Sequence, residues 1–124
     1  MEYTFTLRGE VPAKKNSRLT LKSGKTIPSK NYQKWHKNAL FQLIFQRNAQ
    51  KIKNPLSAPL ALHLSFTHGD LRRRDSDNGL SSVLDTLKDA GIIADDCWTI
   101  CQNLSVTNRH EKGKSACEIV IKCT

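Results

Sequence analysis

An apolar stripe with helical spacing in the second half of the chain constrains the fold most. Four residues recur at i, i+3, i+4 and i+7: Leu80, Val83, Leu84 and Leu87. They predict a helix over about residues 79–90 with one buried face. Residues 59–67 before it alternate polar and apolar side chains, which predicts a central strand. A helix with such a face directly after a strand is expected to pack back on the sheet.

Periodicity and turn residues give the remaining elements. Residues 2–8 alternate and predict a strand, and a hairpin around Ser23-Gly24 joins 19–22 to 25–28. Further elements are a helix over about 30–50, a strand over 98–109 and a strand over 115–123. The order is strand, hairpin, helix, strand, helix, strand, strand. It predicts a small single α+β domain, residues 1–124, with two helices on a mixed sheet.

The helix ends are marked by capping residues. Ser29 is the predicted N-cap of the first helix. In that helix, apolar residues recur at helical spacing: Trp35, Ala39, Phe41, Leu43, Ile44 and Phe45. For the second helix, Asp77 or Asn78 is the predicted N-cap, and Gly91 is the predicted residue just past the end.

Charge is distributed unevenly along the chain. The net charge is +9, yet all seven aspartates lie between Asp70 and Asp96. That window holds seven acidic and four basic residues, a net charge of −3, while the rest carries +12. The basic balance favours nucleic acid or an anionic membrane surface as partner. No apolar run approaches ~18 residues, so no membrane-spanning helix is expected.

Asp75 and Asp77 are the candidate metal ligands. If the backbone is extended there, both carboxylates point to one face and can share a hard cation such as Mg²⁺. A third carboxylate, Asp95 or Asp96, follows the helix. The alternative is that these acids only cap the helix and form a polar turn. A calcium loop starting at Asp75 is excluded, because the required glycine and the terminal glutamate are missing.

The run Arg72-Arg73-Arg74-Asp75-Ser76-Asp77-Asn78, followed by Leu84-Asp85-Thr86-Leu87, Gly91 and Asp95-Asp96, resembles the signature of the RusA family of Holliday junction resolvases. The match is dense over residues 72–96, and the elements before and after are similar in outline. The resemblance implies a single RusA-like endonuclease domain. It further implies a homodimeric, Mg²⁺-dependent endonuclease that cuts four-way DNA junctions by paired symmetric incisions in recombination and repair. It also implies a cytoplasmic protein of bacterial or phage origin, with no membrane partner.

Site residues follow from the resemblance position by position. Asp75, Asp77 and Asp96 match the catalytic, metal-binding acids of the family. The supporting positions are Asp95, Asn78 and Asp85.

One departure concerns Ser81. The family pattern has a lysine at this position, three residues after the asparagine. A serine can donate a hydrogen bond but carries no charge to stabilise a phosphate transition state. The alternative reading is therefore a junction-binding or DNA-binding protein with weak or no cleavage.

Basic residues around the acidic window are the predicted DNA contacts. They form two groups: Lys14, Lys15 and Arg18 in the loop after the first strand, and Arg72, Arg73 and Arg74 before the acids. Any of Lys14, Lys15 or the three arginines could replace the missing lysine, whereas Lys88 is two helical turns further along.

The other reactive side chains are predicted to be structural. The four cysteines do not match a Cys-x-x-Cys motif, so we expect reduced and mostly packed thiols. The histidines are expected in structural roles, with His68 closest to the acids. Trp35 and Trp98 are expected to pack in the core.

Overall fold

A computed structural model describes residues 1–13 and 18–123, apart from the side chains of Arg18 and Leu19. The elements along these residues are β1 (Glu2–Arg8), β2 (Arg18–Thr20), β3 (Thr26–Pro28), α1 (Lys30–Ala49), β4 (Leu60–His68), α2 (Ser76–Asp89), β5 (Cys101–His110) and β6 (Ala116–Cys123). The predicted element order and the α+β class are confirmed. The ends of the elements differ from the predicted ones by up to three residues.

The main sheet is mixed and has the strand order β1-β6-β4-β5, while β2 and β3 form a separate hairpin. Strand β4 is parallel to β5 and antiparallel to β6, and β6 is antiparallel to β1. Because β4 and β5 are parallel, α2 must carry the chain back along the sheet between them. The chain therefore leaves β4 at one end of the sheet and enters β5 at the other.

The core lies between the sheet and the helices. Alternate side chains of β4 are buried, from Leu60 to Phe66. The predicted stripe of α2 is confirmed, since Val83, Leu84 and Leu87 are buried and Leu80 packs against the same core. The two helices contact each other, and α1 contacts β1. Both helices therefore cover one face of the sheet.

Helix α1 begins where predicted, because Ser29 Oγ accepts a hydrogen bond from the backbone N–H of Tyr32 at 3.1 Å. Of its apolar positions, Ala39 and Leu43 are buried, whereas Phe41 and Phe45 are 67% and 77% exposed. Two residues along a helix correspond to about 200° of rotation, so these two pairs lie on nearly opposite sides. No helix in the described part of the chain is long and apolar enough to cross a membrane.

Three glutamines spaced one turn apart on α1 bond the outer edge of β1. Gln46 accepts a hydrogen bond from Thr6 N at 2.7 Å and donates one to Thr6 O at 2.8 Å. Gln50 makes the same two bonds with Thr4, and Gln42 accepts one from the next alternate residue of β1. A side-chain amide carries a donor and an acceptor, as a peptide group does. The glutamines thus occupy the backbone groups that an edge strand leaves open.

The start of α2 differs from the prediction. The helix begins at Ser76, and Asp75 is its N-cap with extended backbone angles (φ −88°, ψ 128°). The predicted caps Asp77 and Asn78 are wrong, because the backbone N–H of Asn78 already donates to Asp75 O at 3.2 Å within the first turn. The end is as predicted, since Gly91 has a φ of +72°, a conformation that favours glycine.

The thiols provide a test of the packing. All four cysteines are free, and burial raises the pKa of Cys117 to about 12, whereas Cys97 is exposed. Because the thiolate is the reactive form, we expect a maleimide near neutral pH to modify Cys97 quickly and Cys117 only after unfolding in urea. Mass spectrometry of a time course measures both. Rapid labelling of Cys117 in the folded protein would contradict this core.

Candidate active site

A cavity of about 390 Å³ opens where β4 and β5 end and α2 begins. Its lining comes from the loop after β1, the ends of β4 and β5, and the segment around the start of α2: Glu10, Val11, Pro12, Ala13, Phe66, His68, Arg73, Arg74, Asp75, Ser76, Asn78, Gly79 and Asn108. The carboxyl ends of parallel strands commonly form ligand sites, since the loops that follow them are free to carry polar groups.

The three arginines before α2 differ in their partners. Arg74 is half-buried and pairs with Asp70 Oδ1 at 2.8 Å and with Glu10 Oε1 at 3.4 Å. The hydrogen bond from Arg74, aided by the backbone N–H of Arg72, lowers the pKa of Asp70. Arg72 is exposed, 3.8 Å from the second oxygen of Asp70. Arg73 lines the cavity and forms no ion pair with any residue that the structure describes, so its charge is available to a phosphate.

A chain of hydrogen bonds connects the cavity wall to the start of α2. His68 Nδ1 is 2.9 Å from Glu10 Oε2, and His68 Nε2 is 2.9 Å from Asn108 Oδ1. The amide of Asn108 then donates to Ser76 Oγ at 3.0 Å. With both ring nitrogens occupied, His68 has no free nitrogen to accept a proton from water. This supports its predicted structural role, and the chain holds Ser76 between the two acids beside it.

Asp75 and Asp77 lie at this helix start, and both are exposed. Within the described residues, neither carboxylate has a hydrogen-bond or ion-pair partner, and Asp75 makes no capping bond. The condition of an extended backbone through both residues is not met, because Asp75 is extended and Asp77 is already helical. Two exposed, unpaired carboxylates beside Arg73 fit the one or two acidic ligands that Mg²⁺ takes, with waters and phosphate completing its shell.

Asp95 and Asp96 lie at the far end of α2. Lys88 Nζ is 3.9 Å from Asp95 Oδ1 and 3.8 Å from Asp96 Oδ1. The backbone N–H of Asp96 donates to Asp95 and lowers the pKa of that carboxyl. At 1.5 Å per residue, α2 separates this pair from Asp75 by about 20 Å. Consistently, no three potential ligands cluster among residues 1–13 and 18–123 of one chain.

The two other supporting residues lie in different places. Asn78 lines the cavity, and its carbonyl accepts a hydrogen bond from Ser82 Oγ at 3.1 Å. Asp85 lies on the side of α2 that faces α1. Together with burial, its charge raises the pKa of Tyr32 to about 12. The roles assigned to Asn78 and Asp85 stay predictions.

The first group of predicted DNA contacts falls largely outside the description. Lys14 and Lys15 lie outside the described residues, as does the side chain of Arg18. In the second group, Arg73 and Arg74 line the cavity, and Arg72 is exposed.

The sequence did not single out Glu10, Asn108 or Ser76 as parts of the site. His68 and Asn108 lie near the ends of the adjacent strands β4 and β5, where His68 pairs with His110 and Asn108 with Phe66. Knowledge that these strands are parallel neighbours would have indicated that the two side chains are close. The expected burial of Trp98 is wrong: its side chain is 77% exposed in the turn before β5, where no element covers it.

Comparison with known proteins identifies the family. A family model described as "Endodeoxyribonuclease RusA" matches residues 9–122. The chain is also similar to the crossover junction endodeoxyribonuclease RusA of Aquifex aeolicus (strain VF5), with 28% identity over 123 residues, 98% of this chain and 93% of that protein. The matched range extends from the loop after β1 into β6 and spans the acidic window from Asp70 to Asp96. The chain therefore belongs to the RusA family of endodeoxyribonucleases.

Proposed function

We propose that this protein is a Mg²⁺-dependent, homodimeric endonuclease that resolves four-way DNA junctions by paired symmetric incisions. The observation that carries the proposal is the exposed pair Asp75 and Asp77 next to Arg73, three side chains without an ion-pair partner among the residues that the structure describes. The family match and the similarity to a crossover junction endodeoxyribonuclease support junction DNA as the substrate. A twofold dimer would present two equivalent sites to a junction of similar symmetry.

In the proposed mechanism, acidic residues hold the metal ion and a basic residue binds the phosphate. Asp75 and Asp77 would hold the metal ion, which when bound supplies an activated water and polarises the scissile phosphate. Asp96, about 20 Å away in the same chain, would join them only from the second subunit of the dimer. Arg73 binds the phosphate and offsets the negative charge that develops on it. Arg74 pairs with Asp70 and Glu10, and the His68–Asn108–Ser76 chain fixes the helix start that carries the first two acids.

The test is cleavage of a labelled synthetic four-way junction, with linear duplex of the same sequence as control, in Mg²⁺ and in EDTA. We expect symmetric, metal-dependent nicks in the junction alone. Cutting of the duplex at the same rate, or cutting in EDTA, would contradict the proposal. Tight binding of the junction without cutting would favour the second function, a junction-binding protein with weak cleavage, which the uncharged Ser81 supports.

Ser81 gives a further prediction. It is one helical turn after Asp77 on α2 and is half-buried, so a lysine here would bring its ammonium beside that acid. We expect Ser81→Lys to raise the single-turnover cleavage rate about tenfold or more, because a positioned charge stabilises the transition state. Ser81→Met, of similar length without charge, is the control. An equal gain from both variants would rule out the charge as the cause.

A further inference from the structure

The cavity at the start of α2 has walls that the proposed mechanism leaves without a role, and this inference rests on that proposed function. Asp75 and Arg73 both belong to its lining and are exposed, so a phosphate bound by them lies at its opening. Each phosphate of DNA joins two nucleosides, and the volume of about 390 Å³ is within the range of small-ligand sites. A nucleoside next to the cut phosphate therefore reaches the cavity.

One side of the cavity is apolar. It consists of residues 11–13 (valine, proline and alanine) in the loop after β1 and of the ring of Phe66, which is nearly buried. Gly79, in the first turn of α2, also lines the cavity, and a Cβ there would lie 3.3 Å from that ring. Because glycine has no side chain, this turn leaves the cavity open above the ring. Apolar surface of this kind suits the faces of a planar base.

Two asparagines line the cavity, and they differ in their partners. Both polar atoms of the Asn108 side chain are engaged, Oδ1 with His68 and Nδ2 with Ser76. The side chain of the half-buried Asn78 makes no hydrogen bond with any residue that the structure describes. Its donor and its acceptor are therefore available to a ligand, and an adjacent donor and acceptor match the hydrogen-bonding edge of a base.

The apolar side and the helix start are fastened to each other through Ser82. Its hydroxyl is fully buried and lies 2.6 Å from the carbonyl oxygen of Pro12 and 3.1 Å from that of Asn78. The first carbonyl belongs to the loop after β1, and the second belongs to the first turn of α2. A ligand that enters the cavity need not order these walls, so more of its contact energy is available for binding.

We propose that the cavity is a subsite for one nucleobase of the substrate, the base next to the scissile phosphate, which leaves the stack and enters the protein. The base packs against residues 11–13 and Phe66, and the amide of Asn78 bonds its edge. Arg73 holds the phosphate that joins this nucleotide to the next one. Enzymes that take a base out of DNA hold it in this way, with apolar side chains around it and hydrogen bonds to its Watson–Crick edge.

The cost of unstacking a base connects this subsite to the choice of substrate. Turning a base out of an intact duplex breaks its pair and its stacking, and the cost is smallest where these contacts are already interrupted. The crossing point of a four-way junction is such a place, because the strands change partners there. A base subsite beside the acids therefore favours cutting at the crossing point over cutting in linear duplex.

Variants of the substrate and of the protein together test the subsite. The junction carries an abasic nucleotide directly 5′ or directly 3′ of the mapped cut position, in both cut strands. In the protein, Ala13→Trp fills the cavity and Asn78→Leu removes the amide. We expect the abasic nucleotide on one of the two sides to slow single-turnover cleavage by the wild type about tenfold, the size of a lost base-stacking contact.

The combination of the two changes carries the test. Each protein variant should slow cleavage of the intact junction about as much, and the abasic nucleotide should slow the variant no further, because the same contact is already lost. Losses that multiply would overturn the proposal, since independent effects add in free energy. Damage by Asn78→Leu to the neighbouring Asp77 would multiply in this way. An abasic nucleotide without effect on either side would also overturn the proposal.

Ala49→Trp is the matched control. It adds the same side chain at the exposed end of α1, outside the lining of the cavity. We expect this variant to cut the intact junction as the wild type does and to lose the same factor with the abasic nucleotide.

A second experiment needs no cleavage. The fluorescent base 2-aminopurine, whose emission rises when it leaves the stack, replaces in turn each base next to the crossing point. Asp75→Asn protein, which we expect to bind the junction without cutting it, is added at one fixed salt concentration. We expect the emission to rise at one position, to stay constant for a probe in the middle of an arm, and to fall again when Asn78→Leu is added. Unchanged emission at every position, or a rise that Asn78→Leu leaves intact, would overturn the proposal.

The outcomes separate this inference from the proposed function. If wild-type protein cuts no junction but the emission rises beside the crossing point and depends on Asn78, the subsite stands and the proposed function fails. If wild-type protein cuts junctions but the abasic nucleotide and the cavity variants act independently, the subsite fails and the proposed function stands.

Discussion

Asp75→Asn is expected to lower the rate of junction cleavage more than a hundredfold while leaving junction binding intact. Loss of groups that merely orient a metal ligand costs about 10- to 100-fold, so loss of a ligand should cost more. Binding should persist or strengthen slightly, because the substitution removes a negative charge beside DNA phosphates. Single-turnover cleavage and a gel-shift titration at one fixed salt concentration measure the two effects.

Glu118→Gln is the control for this variant. It makes the same change of charge on an exposed strand residue, on the face of the sheet away from the helices. It should cleave as the wild type does. Wild-type cleavage by Asp75→Asn would remove this aspartate from the site, and parallel loss of binding would indicate a structural defect.

Leu87→Ala is expected to lower the free energy of unfolding by about 3 kcal/mol and the Tm by roughly 10 °C. Leu87 is fully buried on the stripe that holds α2 against the sheet, so truncation leaves a cavity in the core. Urea denaturation followed by circular dichroism measures the change, at one protein concentration so that subunit association is held constant.

Leu21→Ala is the matched control, because the same atoms are removed from a side chain that is 42% exposed and outside the core cluster. We expect a loss of less than about 1 kcal/mol. Equal losses from both variants would contradict the assignment of Leu87 to the core.

The fold could be predicted largely because local patterns agree with one another. The stripe ending at Leu87, the cap at Ser29 and the glycine at 91 each act over a few residues, and each was confirmed. The start of α2 was missed because several adjacent residues, Asp75 to Asn78, are all good caps. Which of these residues caps the helix depends on where β4 ends and the backbone turns. Local composition does not determine that point.

The site was less predictable because it depends on sheet topology. The acids at 75, 77 and 96 stand out in the sequence, but nothing local shows that β5 is parallel to β4. That pairing decides that Asp96 lies at the opposite end of the sheet from Asp75. Likewise, Glu10 and Asn108 lie far from the acids in sequence and reach the cavity only through the folded sheet.

The glutamines of α1 limit how large an assembly this chain can form. A protein whose sheet has two open edges can pair with another molecule at each edge. Every molecule added then exposes a further open edge, and a fibril can grow. In this protein, the side chains of Gln42, Gln46 and Gln50 occupy the backbone groups of the β1 edge. This edge is therefore protected against pairing with a strand of another molecule. Replacing the three glutamines by alanine should open the backbone groups of β1 to other strands, and we expect the protein to aggregate with time.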